Sequence, residues 1–164
     1  MATFTNAATL SYNGNTLVSN TVTGTLQELL TVSKTAVGGT YSPNGEAVFA
    51  VSLVNSGAAA LTGLTLNDNL GAYAYNTSTL YPLTYIEGSI QYYINGVLQA
   101  APTATAGPPL VISGINVPAG GNALLVYKAK VNEYAPPAQG STITNTASVT
   151  GAGISTAVTD QAVI

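Results

Sequence analysis

Three polar residues fall where a β-strand would turn them toward a hydrophobic interior. In the stretch from Leu30, alternation groups Lys34 with Leu30, Val32 and Ala36. The same alternation places Asp68 with Leu64, Leu66 and Leu70, and Asn145 with Ile143, Ala147 and Val149. The two remaining lysines, Lys128 and Lys130, alternate with Tyr127, Ala129 and Val131 and are expected to face water.

An unpaired buried ammonium or carboxylate costs several kcal/mol, so the inward charges must be paired. A Lys, an Asn and a carboxylic acid held together in an apolar site can also react. The neutral amine attacks the Asn side-chain carbonyl and ammonia leaves, giving a Lys–Asn isopeptide bond. Apolar surroundings lower the pKa of a lysine and raise that of a carboxylic acid, which supplies the nucleophile and the proton donor. Asp68 is then expected to shuttle protons and to polarise the Asn145 carbonyl. The same phases fit a plain Lys34–Asp68 ion pair with Asn145 hydrogen-bonded nearby, and periodicity alone does not choose.

Other chemistry is poorly supplied. With no His and no Cys the common nucleophile–base pairs are absent, and the acids are too scattered for a paired-carboxylate hydrolase. No enzyme with turnover, no cofactor and no metal site is expected. Glu46 shares its phase with Val48 and Ala50, but it borders a Pro-Asn-Gly turn where a solvated carboxylate is the usual outcome. Asn76-Thr77-Ser78 fits a glycosylation acceptor, a triplet that chance readily supplies in a chain rich in Thr and Asn. Tyr73, Tyr75, Tyr81, Tyr85, Tyr92 and Tyr93 suit either a contact patch for sugar or protein or ordinary strand packing.

The elements that must hold these residues read as strands. Apolar runs recur about every ten residues between turn signals such as Asn13-Gly14, Pro43-Asn44-Gly45 and Asn95-Gly96, the rhythm of a β-sandwich. Strands are expected near 29–37, 46–55, 62–69, 84–94, 97–101, 109–113, 122–133, 141–150 and 154–163, with a Tyr-rich loop from Gly71 to Pro82. The LQELL stretch at 26–30 is too short for a helix. The length of 164 residues suits one domain.

An internal repeat sets the organisation. The opening TFTNAATLSYNGNTLVSNTVT nearly copies the closing TITNTASVTGAGISTAVT, aligning Asn6 with Asn145, Ala8 with Ala147, Leu10 with Val149 and, after the turn, Ser19 with Ser155. Residues 1–26 therefore read as a spare hairpin ahead of a sandwich over 27–164. A lone hairpin is marginal in water, so it must join a sheet. Donation to a neighbouring copy gives a head-to-tail homopolymer, whereas docking on its own sheet edge gives a monomer with a cap.

From about Leu29 to Val163 the chain resembles the repeat domain of bacterial and archaeal surface proteins known as domain of unknown function eleven. LTVSKTA, FAVSLVNSGAAALTGLTLNDNL, INVPAGGNALLVYKAKV and TITNTASVTG carry the match. The resemblance implies an all-β, immunoglobulin-like Greek-key sandwich with an extra N-terminal strand or hairpin. Its Lys–Asp–Asn pattern is similar to that of isopeptide-forming adhesin and pilin domains, and implies a Lys34–Asn145 crosslink with Asp68 as proton shuttle. Asn6 matches the reactive Asn of a missing unit, either as a passive mimic in a neighbour or as a competitor for its Lys34.

Composition narrows the partners. Three Lys, no Arg and a net charge of −3 leave no basic stripe for nucleic acid or an anionic membrane surface. With charged residues at only 5% of the chain, little opposes strand association, which suits a fibre subunit. Residues 1–12 lack the pattern of a secretory signal, and no run spans a bilayer. The expectation is a structural subunit of an extracellular or spore-surface fibre; the alternative is a monomeric adhesin module from a longer stalk.

Overall fold

Alternating burial and β-branched residues turn nearly every apolar run into a strand. The computed structural model describes residues 3–25, 29–154 and 156–164, and among them it has strands and turns but no helix. β1 (Thr3–Asn6), β2 (Thr9–Tyr12), β3 (Asn15–Val18) and β4 (Val22–Thr25) open the chain. They are followed by β5 (Leu30–Val37), β6 (Glu46–Asn55), β7 (Leu61–Asp68), β8 (Tyr73–Tyr75) and β9 (Ser78–Leu80). Next come β10 (Leu83–Tyr85), β11 (Gln91–Ile94), β12 (Val97–Gln99) and β13 (Thr103–Thr105). The chain closes with β14 (Leu110–Val117), β15 (Asn122–Val131), β16 (Thr144–Thr150) and β17 (Val158–Val163).

Two antiparallel sheets make the immunoglobulin-like sandwich. One runs β12-β11-β15-β6-β5, with β10 also on β15, and the other runs β13-β14-β7-β16-β17. Their inner faces meet in a core that includes Phe49, Leu53, Leu66, Ile112, Leu125 and Tyr127, all fully buried. Two edges close on each other: β17 lies beside β5, and the Lys34 N–H donates to Asp160 Oδ2 at 2.6 Å. By contrast, among the described residues β12 pairs only with β11 and β13 only with β14.

The observed strands differ from the expected ones in several places. The run 84–94 is two strands, because the turn at residues 86–89, with Gly88 at φ +72°, lets β10 and β11 meet β15 separately. The Tyr-rich loop contains the β8–β9 hairpin, and β14 reaches Val117 through a register shift after Ser113. In the last expected strand, 154–163, β17 begins only at Val158, and Ser155 lies outside the described residues.

Among the described residues the opening segment is a hairpin paired only with itself, β1 with β4 and β2 with β3. The Asn13-Gly14 corner, with φ +47° and +78°, is the two-residue turn whose twist matches antiparallel strands. One extra residue between β3 and β4 forms a bulge, bridged by Ser19 N–H to Ala8 O at 2.8 Å. The repeat therefore holds for the first strand and not for the register. Asn6 faces Val22, whereas Asn145 faces Ala162, because the tight Asn13-Gly14 turn replaces the open loop between β16 and β17. The boundary expected at residues 26 and 27 falls outside the described residues.

Candidate crosslinking site

The three inward polar residues converge from three strands. Lys34 on β5, Asp68 at the end of β7 and Asn145 on β16 are all buried, in the phase that their apolar neighbours set. Lys128 is exposed and pairs with an equally exposed Glu46 at 3.1 Å, and Lys130 is exposed too. Only Lys34 among the lysines carries its charge inside.

Lys34 Nζ forms an ion pair with Asp68 Oδ2 and donates to the Tyr127 hydroxyl at 3.0 Å. It also lies over the rings of Phe49 and Tyr127, 5.1 and 5.7 Å from their centroids, where aromatic faces attract a cation. Burial pushes the Lys34 ammonium below the ordinary lysine range, against the opposing pull of Asp68. The site thus favours the neutral amine more than water does.

Tyr127, on β15, completes the cluster. Its hydroxyl donates to Asp68 Oδ2 and accepts from Asn145 Nδ2 at 3.2 Å. Burial, with the Asp68 charge beside it, lifts the phenol well above its ordinary value and keeps it protonated.

The turn after β7 aims a backbone donor at the amide. Asp68 Oδ1 accepts from Leu70 N–H at 3.0 Å, and Asn69 Oδ1 accepts from Gly71 N–H at 3.0 Å and from Thr146 N–H at 2.8 Å. Leu70 and Gly71 follow at φ +52° and +73°, and the Gly71 N–H also donates to Asn145 Oδ1 at 3.2 Å. A side chain at Gly71 would be strained by that φ and would collide with Ile143.

Asp68 hydrogen-bonds to Lys34, Tyr127 and Leu70, and among the described residues no hydrogen bond joins it to Asn145; the Asn145 carbonyl accepts from Gly71 N–H. The two sides of the amide are fixed, since a backbone N–H can meet only its oxygen and the nitrogen must then face Tyr127. An amine, a polarised carbonyl and two proton carriers therefore share one buried site, and among the described residues every buried side-chain polar atom has a partner.

Tyr127, Gly71, Asn69 and Asp160 were not singled out from the sequence. Tyr127 and Asp160 left a signal: each is in phase with buried neighbours, Leu125 and Ala129 for one and Ala162 for the other. Gly71 left none, because its contribution is a backbone N–H. Asn6 stands exposed on β1, apart from the cluster.

Solved structures place the fold among pilin domains. The chain is similar to the major pilin SpaD of Corynebacterium diphtheriae (14% identity, TM-score 0.59, 81% of this chain and 34% of that one). It is similar also to the pilus backbone RrgB of Streptococcus pneumoniae (11%, 0.55, 74% and 31%). The major pilin subunit BcpA of Bacillus cereus aligns over 96% of this chain and 46% of its own length, at 16% identity and a TM-score of 0.53. The chain thus spans less than half of each, and the likeness is one of fold. No family model matches the sequence, and no curated protein matches it either. No helix among the described residues is long and apolar enough to cross a membrane.

Proposed function

We propose that this chain is a structural subunit of a surface fibre, joined head to tail by its N-terminal hairpin and stiffened by a Lys34–Asn145 isopeptide bond. It has no catalytic turnover in this reading, and the surface-protein repeat family named from its motifs belongs to the same proposal. Pilin-like fold, low charge and a Lys–Asp–Asn cluster all support it.

The observation that carries it is the uncovered face of the hairpin. Cross-strand partners share a face, which groups Phe4, Asn6, Ala8, Leu10 and Tyr12 with Leu17 and Val22. The five large apolar residues in this set are between 57% and 75% exposed. The equivalents of Phe4, Ala8 and Leu10 on and beside β16, Ile143, Ala147 and Val149, are buried in the core. On this reading the first strand of the hairpin is a counterpart of β16 that lacks an opposing sheet, and in its own domain that place is already filled by β16.

A neighbouring copy offers what the hairpin needs. The free sides of β12 and β13 can accept a further strand, and Val97 and Leu98 on β12 are exposed beside one of them. Such a contact does not close on itself and propagates as a filament. Covering each large side chain is worth about 1.5–3 kcal/mol, so five of them favour assembly strongly.

Removing residues 1–25 tests this. The fibre reading expects a folded chain that stays monomeric where the full chain associates. Equal association of both chains defeats it and favours an adhesin module whose contacts lie elsewhere.

A further inference from the structure

Condensation of Lys34 with Asn145 needs a group that protonates the departing nitrogen, and the present inference rests on that proposed reaction. Among the described residues Asp68 makes no hydrogen bond to Asn145; the Tyr127 hydroxyl is what joins them. A phenol has one proton and two lone pairs. Here the proton goes to Asp68, while the lone pairs meet Lys34 Nζ at 3.0 Å and Asn145 Nδ2 at 3.2 Å. The hydroxyl therefore touches the nucleophile, the acid and the leaving group at once.

We propose that Tyr127 is a catalytic residue of this condensation, relaying a proton from Asp68 to the leaving nitrogen of Asn145. The site starts as an ammonium and a carboxylate. Lys34 gives its first proton to Asp68, and the neutral amine attacks Asn145 Cγ. The C–N bond forms, and the carbonyl electron pair moves to Oδ1, where Gly71 N–H receives it.

Protonation of Asp68 reverses its hydrogen bond to Tyr127. A carboxylate can only accept, but a carboxylic acid donates, which frees the phenol proton for Nδ2. Asp68 passes its proton to the Tyr127 oxygen as Tyr127 passes its own to Nδ2, and Asp68 then takes the second proton of Lys34 Nζ. Oδ1 re-forms the double bond, the C–Nδ2 bond breaks and ammonia departs. The site ends as a secondary amide, a neutral carboxylic acid, an intact phenol and free ammonia, so atoms and charge balance. The raised phenol value fits a group that stays protonated between transfers.

The test follows intact mass with time during cell-free synthesis of the full chain. It compares wild type, Tyr127→Phe, Lys34→Ala and a chain with 3-fluorotyrosine placed at position 127 alone. Wild type is expected to lose one ammonia, and Lys34→Ala none. Tyr127→Phe is expected to fold but to lose ammonia about 100-fold more slowly or worse, the range of general acid–base assistance. The fluorinated chain keeps a hydroxyl of altered acidity, so it should crosslink with a displaced rate–pH profile. Should Tyr127→Phe fail to fold, that profile decides. Equal rates in wild type and Tyr127→Phe, or an undisplaced profile, overturn the relay alone. A wild type that keeps its full mass overturns the condensation itself.

Discussion

Asn6 and Asn145 hold matching positions in two copies of one strand sequence, yet Asn145 is fully buried and Asn6 is exposed. The difference lies in what each strand faces. Asn145 sits on a strand backed by the opposite sheet, whereas Asn6 sits on a hairpin that has, among the described residues, no strand partner beyond itself.

Charging the hairpin face should therefore stop assembly without touching the sandwich. Leu10 and Leu17 lie directly opposite each other and are exposed in the isolated chain. The double variant Leu10→Asp/Leu17→Asp is expected to remain monomeric in sedimentation velocity, with an unfolding midpoint equal to that of wild-type monomer. Unchanged association would mean that this face is not the contact.

Much of this arrangement was legible in the sequence. Strict alternation placed Lys34, Asp68 and Asn145 inside and Lys128 and Lys130 outside, because one buried sheet face leaves no freedom of register. Tyr127 was assigned inward by the same rule, but alternation does not say which inward residues meet across two sheets. The roles of Gly71 and Leu70 were not legible, since they depend on backbone angles after β7. The hairpin register was missed for a similar reason: a two-residue turn sets it, and sequence similarity along one strand says nothing about that.

The buried ion pair makes a second prediction. In an Asn145→Ala background, which prevents condensation, Lys34→Ala leaves the Asp68 charge buried without its cation. The loss should be about 3–5 kcal/mol in denaturant unfolding. A loss within experimental error would mean that the pair is not formed.

The same Asn145→Ala background gives a pH dependence. Lys34 has a folded value below its unfolded one, so the unfolded chain binds more protons between the two. This contribution to stability rises with pH from the lowered folded value up to about 10.5, and is flat above that. Tyr127 acts oppositely: its folded value is raised, so its contribution is intact below about 10 and falls as pH climbs further. Unfolding free energy should therefore rise through the alkaline range, then turn over above about pH 10. Introducing Tyr127→Phe should remove its share of the downturn and leave the rise, measured by urea unfolding.

Asn55 makes a fourth. It is buried at the end of β6, where its amide donates to Ala59 O at 2.8 Å and Pro118 O at 3.0 Å and its carbonyl accepts from Gly57 N–H at 2.9 Å. These bonds tie two loops to one strand. Asn55→Ala is expected to cost about 1–3 kcal/mol in thermal or denaturant unfolding without altering the mass lost on crosslinking.

The central claim is that the hairpin of one copy is completed by the sheet of another. Electron microscopy of the purified full chain tests it most directly, with the chain lacking residues 1–25 beside it. The account predicts filaments of regular width from the full chain and dispersed single domains from the shortened one. Dispersed domains from both, at concentrations where five exposed apolar side chains should drive association, would contradict it.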